Sequence, residues 1–283
     1  MIIADYKYGR LGNNLELAAH LIAFSILYKK EVSLSYLQDA KDNFPYFRGN
    51  ELLIYPGRNV SKNAAIVYLK AFQIARRLGF IKQVDYLKDN KWEFFNEESC
   101  DQELLGNLLR EKIVFFKGWR FRKRSLSQYD KSEIRRVFKP SPSIENRSRN
   151  LRLLLNADIV VGIHIRWGDL KEVNSSQCLP IDAYVSAMEK LSNELLPTKV
   201  GFIVCSEEKN LEGLNKYNFV HSGGTPVEDI YALAEADCIV SNGSTFANWA
   251  SFYGSKPLYN ILDNLQTSIK DLKPYNWEFQ LKI

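Results

Sequence analysis

Three short polar clusters in this chain have residue types and spacings suited to holding an anion. They are Gly9-Arg10-Leu11-Gly12-Asn13-Asn14, His164-Ile165-Arg166-Trp167-Gly168-Asp169 and Ser241-Asn242-Gly243-Ser244-Thr245-Phe246. In the middle cluster His164 and Arg166 alternate with Ile163 and Ile165, so on a strand both would face one way as the strand ends. A guanidinium there presents a rigid fork of donors that matches a pair of phosphate oxygens. Gly168 permits a sharp turn, and Asp169 is placed either to orient the arginine or to form a plain structural ion pair with it. The third cluster offers the hydroxyls of Ser241, Ser244 and Thr245 and the accessible backbone of Gly243 just before a helical pattern. A helix N-terminus attracts negative charge, although the same residues also describe an ordinary capping loop. The first cluster is less specific, because many strand-to-helix turns carry two glycines. The chain contains neither G-x-G-x-x-G nor G-x-x-x-x-G-K-[ST].

The elements that must position these clusters alternate between strands and helices. Met1 to Tyr6 reads as a strand, Gly9 to Asn13 as a loop, Leu15 to Ile26 as a helix with one apolar face, and Val32 to Tyr36 as the next strand. That β-loop-α-β opening predicts a parallel sheet. Helical spacing recurs near Ala64 to Arg77 and Gln102 to Arg110, and Ile113 to Phe116 suits a strand. Lys139-Pro140-Ser141-Pro142-Ser143 favours an irregular linker, which predicts domains over residues 1–140 and 141–283. A helix from about Ile144 to Asn156 follows. Beyond it the pattern is clearest: a strand over Asp158 to Ile165, a helix over Ile181 to Leu196 and a strand over Lys199 to Cys205. Next come a helix from Thr225 to Ala236, a strand over Cys238 to Val240 and a helix over Thr245 to Tyr253. Thr225-Pro226-Val227-Glu228 has the signature of a capping box with proline at the first helical position. The expectation is a Rossmann-like sheet, in which ligands bind beyond the carboxyl ends of the strands.

Composition sets the limits of this reading. The 283 residues are 46% apolar and 25% charged, with a net charge of +5. These values exclude a disordered or collagen-like chain and leave room for one large or two medium domains. Lys117 to Lys139 holds nine basic and two acidic residues, an excess of +7, so the remainder sums to 5 − 7 = −2 and the basicity is local. A solvated helical face accounts for such a run; attraction of an anionic donor or a membrane surface is the functional alternative. Cys100, Cys178, Cys205 and Cys238 form no C-x-x-C pair, and the three histidines form no metal-spaced pair, which argues against a disulfide scaffold and a structural zinc. The apolar stretch Ala18 to Tyr28 is too short to span a bilayer, and Asp5, Lys7 and Arg10 interrupt any signal-peptide pattern. A cytoplasmic location, extending to the inner face of the membrane, is the expectation.

Order and spacing together resemble the fucosyltransferase superfamily, nearest to the bacterial α-1,2-fucosyltransferases of glycosyltransferase family 11. Gly9-Arg10-Leu11-Gly12-Asn13-Asn14 is similar to the family's G-G-L-G-N-Q opening, and His164-Ile165-Arg166-Trp167-Gly168-Asp169 to its H-x-R-R-G-D. Asn242-Gly243-Ser244-Thr245-Phe246-Ala247-Asn248-Trp249-Ala250 is similar to N-S-S-F-S-W-W-A with one residue inserted. Softer matches are Phe116-Lys117-Gly118-Trp119 with Ser132-Glu133-Ile134-Arg135, and Cys205-Ser206-Glu207-Glu208 in place of F-S-D-D. The resemblance implies an α/β GT-B glycosyltransferase with two Rossmann-like lobes and a cleft between them. The acceptor-side lobe would come first and the nucleotide-sugar lobe second. It further implies inverting, metal-independent transfer of fucose from GDP-fucose to an oligosaccharide or polysaccharide acceptor. Arg166 would bind the diphosphate and stabilise the leaving group. Gly12, Asn13, His164, Asn242, Ser244, Thr245 and Phe246 would line the donor pocket, while Asp169 and Glu16 are the candidates for a base.

The chain departs from the family pattern at several points. Trp167 stands for a second arginine, Asn248 for a tryptophan, Arg10 for a glycine as in protein O-fucosyltransferases, and Glu16 for a phenylalanine. Two competing readings follow from the residues. One is a nucleotide-sugar-binding homologue without turnover, or a transferase for another nucleotide sugar. The other is a nucleic-acid binder using Lys117 to Lys139, which would leave the strand-end clusters without a role.

Overall fold

The computed structural model describes residues 1–85, 102–118, 121, 126–168, 178–208, 211–262 and 268–275. These fall into two compact units, Met1–Ser141 and Pro142–Asn276.

Unit 1 is built on a five-stranded sheet. Its strands are β1 (Ile2–Ala4), β2 (Val32–Ser33), β3 (Ile54–Tyr55), β4 (Lys82–Asp85) and β5 (Val114–Lys117), in the order β3-β2-β1-β5-β4. Only β3 runs antiparallel. Helices α1 (Leu11–Tyr28), α2 (Lys62–Arg77), α3 (Gln102–Arg110) and α4 (Gln128–Val137) connect the strands. The apolar spacing of α1 has a direct consequence: Leu15, Ala18, Ala19 and Ile22 are fully buried. Two expectations are corrected here. The loop after β1 is shorter than the glycines suggest, since α1 begins at Leu11. The strand expected over Val32 to Tyr36 stops at Ser33. There Ser35 Oγ donates to the Ala4 carbonyl at 3.0 Å and a 3-10 helix, Ser35–Asn43, takes over.

Unit 2 carries β6 (Ile159–Ile165), β7 (Val200–Ser206), β8 (Phe219–His221), β9 (Cys238–Ser241) and β10 (Leu258–Asn260), ordered β10-β9-β6-β7-β8 and parallel throughout. Its helices are α5 (Pro142–Leu154), α6 (Ile181–Glu194), α7 (Pro226–Glu235) and α8 (Thr245–Gly254). The linker expected through Ser143 is cut short because Pro142 opens α5; proline's fixed φ suits a first helical position. β6 and β7 are near-continuous apolar runs, as strands covered on both faces must be. The chain winds from β6 to β7 and β8 on one side, then crosses to β9 and β10 on the other. The winding therefore reverses between β6 and β9, and that reversal opens a crevice at their carboxyl ends.

No helix among the described residues is long and apolar enough to cross a membrane.

Candidate functional site

Two of the three polar clusters meet at the β6/β9 reversal in unit 2. His164 is the penultimate residue of β6 and is buried, and Arg166 is the first residue beyond the strand and is half-buried. Across the crevice Ser241 ends β9 and Ser244 caps α8. The two loops are joined by a hydrogen bond of 2.7 Å between Ser244 Oγ and His164 Nδ1. Ser244 Oγ also accepts from the Ala247 backbone N–H at 3.2 Å, and Ser241 Oγ accepts from the Ser244 N–H at 3.2 Å. The Ser244–His164 bond joins the imidazole to the residue that caps α8; which partner donates follows the imidazole tautomer. Phe246 stacks on the His164 ring at 4.7 Å and 22°.

This arrangement assigns different work to the expected residues. Ser241 and Ser244 spend their hydroxyls on internal bonds and so shape the loop. The Ser244 cap serves the third amide of α8, which leaves the Thr245 and Phe246 amides in the first turn as the donors suited to an anion. Thr245 and Phe246 are half-buried and Asn242 is buried. Gly243, between them, has φ +83°, a left-handed conformation that a side chain would strain.

Arg166 is held by what surrounds the strand end. Tyr184 of α6 is fully buried; burial pushes its hydroxyl pKa up, and the Arg166 backbone beside it works in the opposite direction. Trp167 takes a role that the sequence did not indicate. Its indole N–H donates to the Leu179 carbonyl at 2.6 Å and its ring packs against the core, anchoring the turn after β6. Asp169 lies outside the described residues.

The neighbouring strand end is also ordered. Ser206 Oγ accepts from the Glu208 N–H at 3.1 Å, closing a turn within the Cys205-Ser206-Glu207-Glu208 segment. Asp229, on α7, accepts from Ser222 Oγ at 2.5 Å and from the Gly224 N–H at 3.1 Å, and burial raises its carboxyl above the usual range. Cys205 and Cys238 are buried free thiols. Burial raises the first well above its ordinary value and pushes the second up to about 12, so neither is a ready nucleophile. No group of three or more His, Cys, Asp or Glu side chains among the described residues is arranged to hold a metal.

The first cluster sits at the corresponding place in unit 1, between the carboxyl end of β1 and α1. Its organiser is Asn14, a residue quoted in the motif but given no role by sequence reasoning. Asn14 Oδ1 accepts from the Tyr8 N–H at 3.0 Å and its Nδ2 donates to the Arg10 carbonyl at 2.8 Å. Gly9 has φ +54°, and a Cβ there would lie 2.6 Å from Asn13 Nδ2. Gly12 is buried and Asn13 half-buried. Arg10 precedes the helix and supplies no side-chain cap. Glu16 is 2% exposed, which puts its carboxylate inside unit 1 rather than on its surface.

Neither a protein-family description nor a curated protein matches the chain by sequence. Solved structures do match it in fold. POFUT1 in its apo form superposes with a TM-score of 0.57 at 14% identity, covering 91% of this chain and 96% of its own. The NodZ α-1,6-fucosyltransferase soaked with GDP-fucose gives 0.56 at 13% identity, covering 91% and 93%. An Arabidopsis thaliana FUT1 mutant in complex with GDP gives 0.56 at 13% identity, covering 91% of this chain and 69% of its own. This chain thus has the GT-B fold seen in solved fucosyltransferases.

Proposed function

We propose that this chain is a glycosyltransferase that moves L-fucose from GDP-fucose to a glycan hydroxyl, inverting the anomeric carbon and using no metal. The observation that carries the reading is the 2.7 Å Ser244–His164 bond. It ties two strand-end loops together at the point where an open α/β sheet binds its ligand, beside Arg166 and the first-turn amides of α8. Support also comes from the solved structures of like fold, which include POFUT1 with GDP-fucose and NodZ soaked with it.

In the proposed reaction the acceptor oxygen forms a bond to the fucose anomeric carbon from the face opposite the nucleotide. The bond from that carbon to the β-phosphate oxygen breaks, and its electron pair leaves with GDP. Arg166 and the Thr245 and Phe246 amides bind the diphosphate and stabilise the charge that grows on it, an electrostatic contribution on the order of 3 kcal/mol per well-placed donor. His164, fixed by Ser244 and Phe246, lines the same pocket. Asn242 completes the donor pocket, and Gly12 and Asn13 are assigned to the sugar. The acceptor proton passes to Asp169 or, with little base help, to the departing diphosphate; Glu16 would need to leave its buried position to take it. Assignment of the donor to residues 141–283 and of the acceptor to residues 1–140 is part of the proposal. So are the polysaccharide acceptor, the cytoplasmic location and the α-1,2 linkage, which rests on the motif likeness.

A thermal-shift and calorimetric screen of nucleoside diphosphates and their sugars tests the donor, because a ligand of the native state raises the melting temperature by mass action. GDP and GDP-fucose should stabilise the protein and Arg166→Ala should erase the effect. Stabilisation by UDP, dTDP or CDP instead would overturn the fucose assignment. Loss of transfer in a chelator, restored by added metal, would overturn the metal-independent mechanism.

A further inference from the structure

Helix α2 has two apolar stripes where an ordinary surface helix has one. The inner stripe, Ala65, Leu69 and Phe72, faces the unit, and Arg76 continues it with an ion pair to Asp5 at 3.3 Å and a stack over Phe115 at 4.2 Å. On the opposite side Val67, Ala71, Ile74 and Leu78 follow one another at i, i+4, i+7 and i+11 and are all exposed. Val67 is 64% exposed, Leu78 66% and Phe80, just beyond the helix, 81%. Lys70 and Arg77 flank this outer stripe, and neither has an ion-pair partner among the described residues. From Leu52 to Val84 the chain has six basic residues and no acidic one.

We infer that the outer face of α2, with Phe80, is a docking surface for an anionic lipid bilayer. An apolar stripe bordered by Lys and Arg, on a helix whose own sequence has no carboxylate, fits a helix lying in the headgroup region, with the long basic side chains reaching phosphates. Charge complementarity selects this occupant over a second copy of the chain. Two such faces brought together would juxtapose Lys70 and Arg77 with their own like charges. The surface lies outside the cluster of basic residues at 117–139 and is independent of the proposed reaction.

Vesicle flotation of the full chain tests the inference, using phosphatidylcholine alone and phosphatidylcholine mixed with phosphatidylglycerol. The protein should float with the mixed vesicles and not with the neutral ones. Lys70→Glu with Arg77→Glu should lower partitioning at least roughly thirtyfold, and added salt should weaken it. Val67→Ser, Ile74→Ser and Leu78→Ser together should also release the protein, with an unchanged melting temperature because these side chains are exposed. Equal binding to neutral vesicles, or undiminished flotation of both variants, would overturn the inference. So would a lipid-free dimer, seen by light scattering, that the serine variant dissociates.

Discussion

The two units hold the loop after their first strand in different ways. In unit 1 the turn into α1 is closed locally, Asn14 reaching back to Tyr8 and Arg10, while Asp5, Lys7 and the Asn14 carbonyl are tied to Arg76, Asp39 and the Tyr36 hydroxyl. In unit 2 the end of β6 is tied from outside, His164 by a serine eighty residues further on and Trp167 by Leu179. A turn closed by residues close in sequence depends less on the pairing of distant strands. A loop joined across the strand reversal exists only when β6 and β9 are paired, so its chemistry is switched on by folding itself. The difference teaches that the proposed anion site is the one whose geometry is long-range.

The sharpest way to break this comparison is at Arg166. On the proposed reading Arg166→Ala should lower transfer on the order of 10³-fold by removing the guanidinium from the diphosphate, with the protein still folding cooperatively. Normal turnover by that variant, measured with GDP-fucose and any accepted glycan, would remove unit 2 from the reaction.

The next effect is expected where the two loops join. Ser244→Ala removes both the α8 cap and the bond to His164. It should cost about 1 kcal/mol of stability and lower kcat/KM roughly tenfold to a hundredfold by freeing the imidazole. His164→Ala should fall in the same range and below Arg166→Ala. If the two single changes and the double variant lose the same activity, the pair acts as one unit. Additive losses would show that the 2.7 Å bond does not couple them.

Asn14→Ala sharpens the comparison from the other side. It leaves the Tyr8 amide and the Arg10 carbonyl without the side chain that binds them, so it should destabilise the protein by about 2 kcal/mol in urea unfolding. Binding of GDP by the folded fraction should change little. A large loss of GDP affinity in calorimetry would extend the role proposed for this loop from the sugar to the nucleotide.

The smallest expected effects are in pH dependence, and they have opposite signs in the two units. In unit 1 Glu133 is held below the usual carboxylate range, first by hydrogen bonds from Arg136 at 2.6 and 2.8 Å and then by the Tyr55 hydroxyl at 2.9 Å. Its contribution is present above the ordinary glutamate pKa and is lost as pH falls through the lowered one. In unit 2 burial raises Asp229, so its contribution is greatest below the ordinary aspartate pKa and declines as pH rises through the raised one. Acid titration of stability should therefore bring wild type and Glu133→Gln together as pH falls, and move wild type up relative to Asp229→Asn. Parallel curves for either pair would refute the corresponding assignment.

Much of unit 2 was legible before any coordinates. Thr225 and Glu228 form the capping box that their spacing predicts, with Thr225 N–H to Glu228 Oε2 at 2.7 Å and Pro226 opening the helix. The strands at 159–165 and 200–206 follow from near-continuous apolar runs, which signal burial on both faces. Unit 1 was less legible. β3 has two residues, too few for a periodic signal, and Val32 to Tyr36 looked extended until Ser35 bonded back to Ala4. In the site itself Arg166 and His164 were readable because they alternate with isoleucines. The roles of Asn14 and Trp167 were not, since each depends on where a backbone carbonyl or amide happens to lie.

The sequence by itself determined the periodicities, the caps, the glycine turns and the three anion-suited clusters, because these rest on contacts within a few residues. Only the tertiary structure decided which clusters meet. Strand order put β6 beside β9, and that pairing gave His164 its serine, spent the Ser244 hydroxyl on an internal bond, and left the first two amides of α8 outside the Ser244 cap. It also left one side of α2 uncovered, since a helix with two apolar stripes can bury only one against its own sheet. Such outcomes depend on residues far apart in the chain coming within hydrogen-bonding or van der Waals range, and no local spacing encodes that.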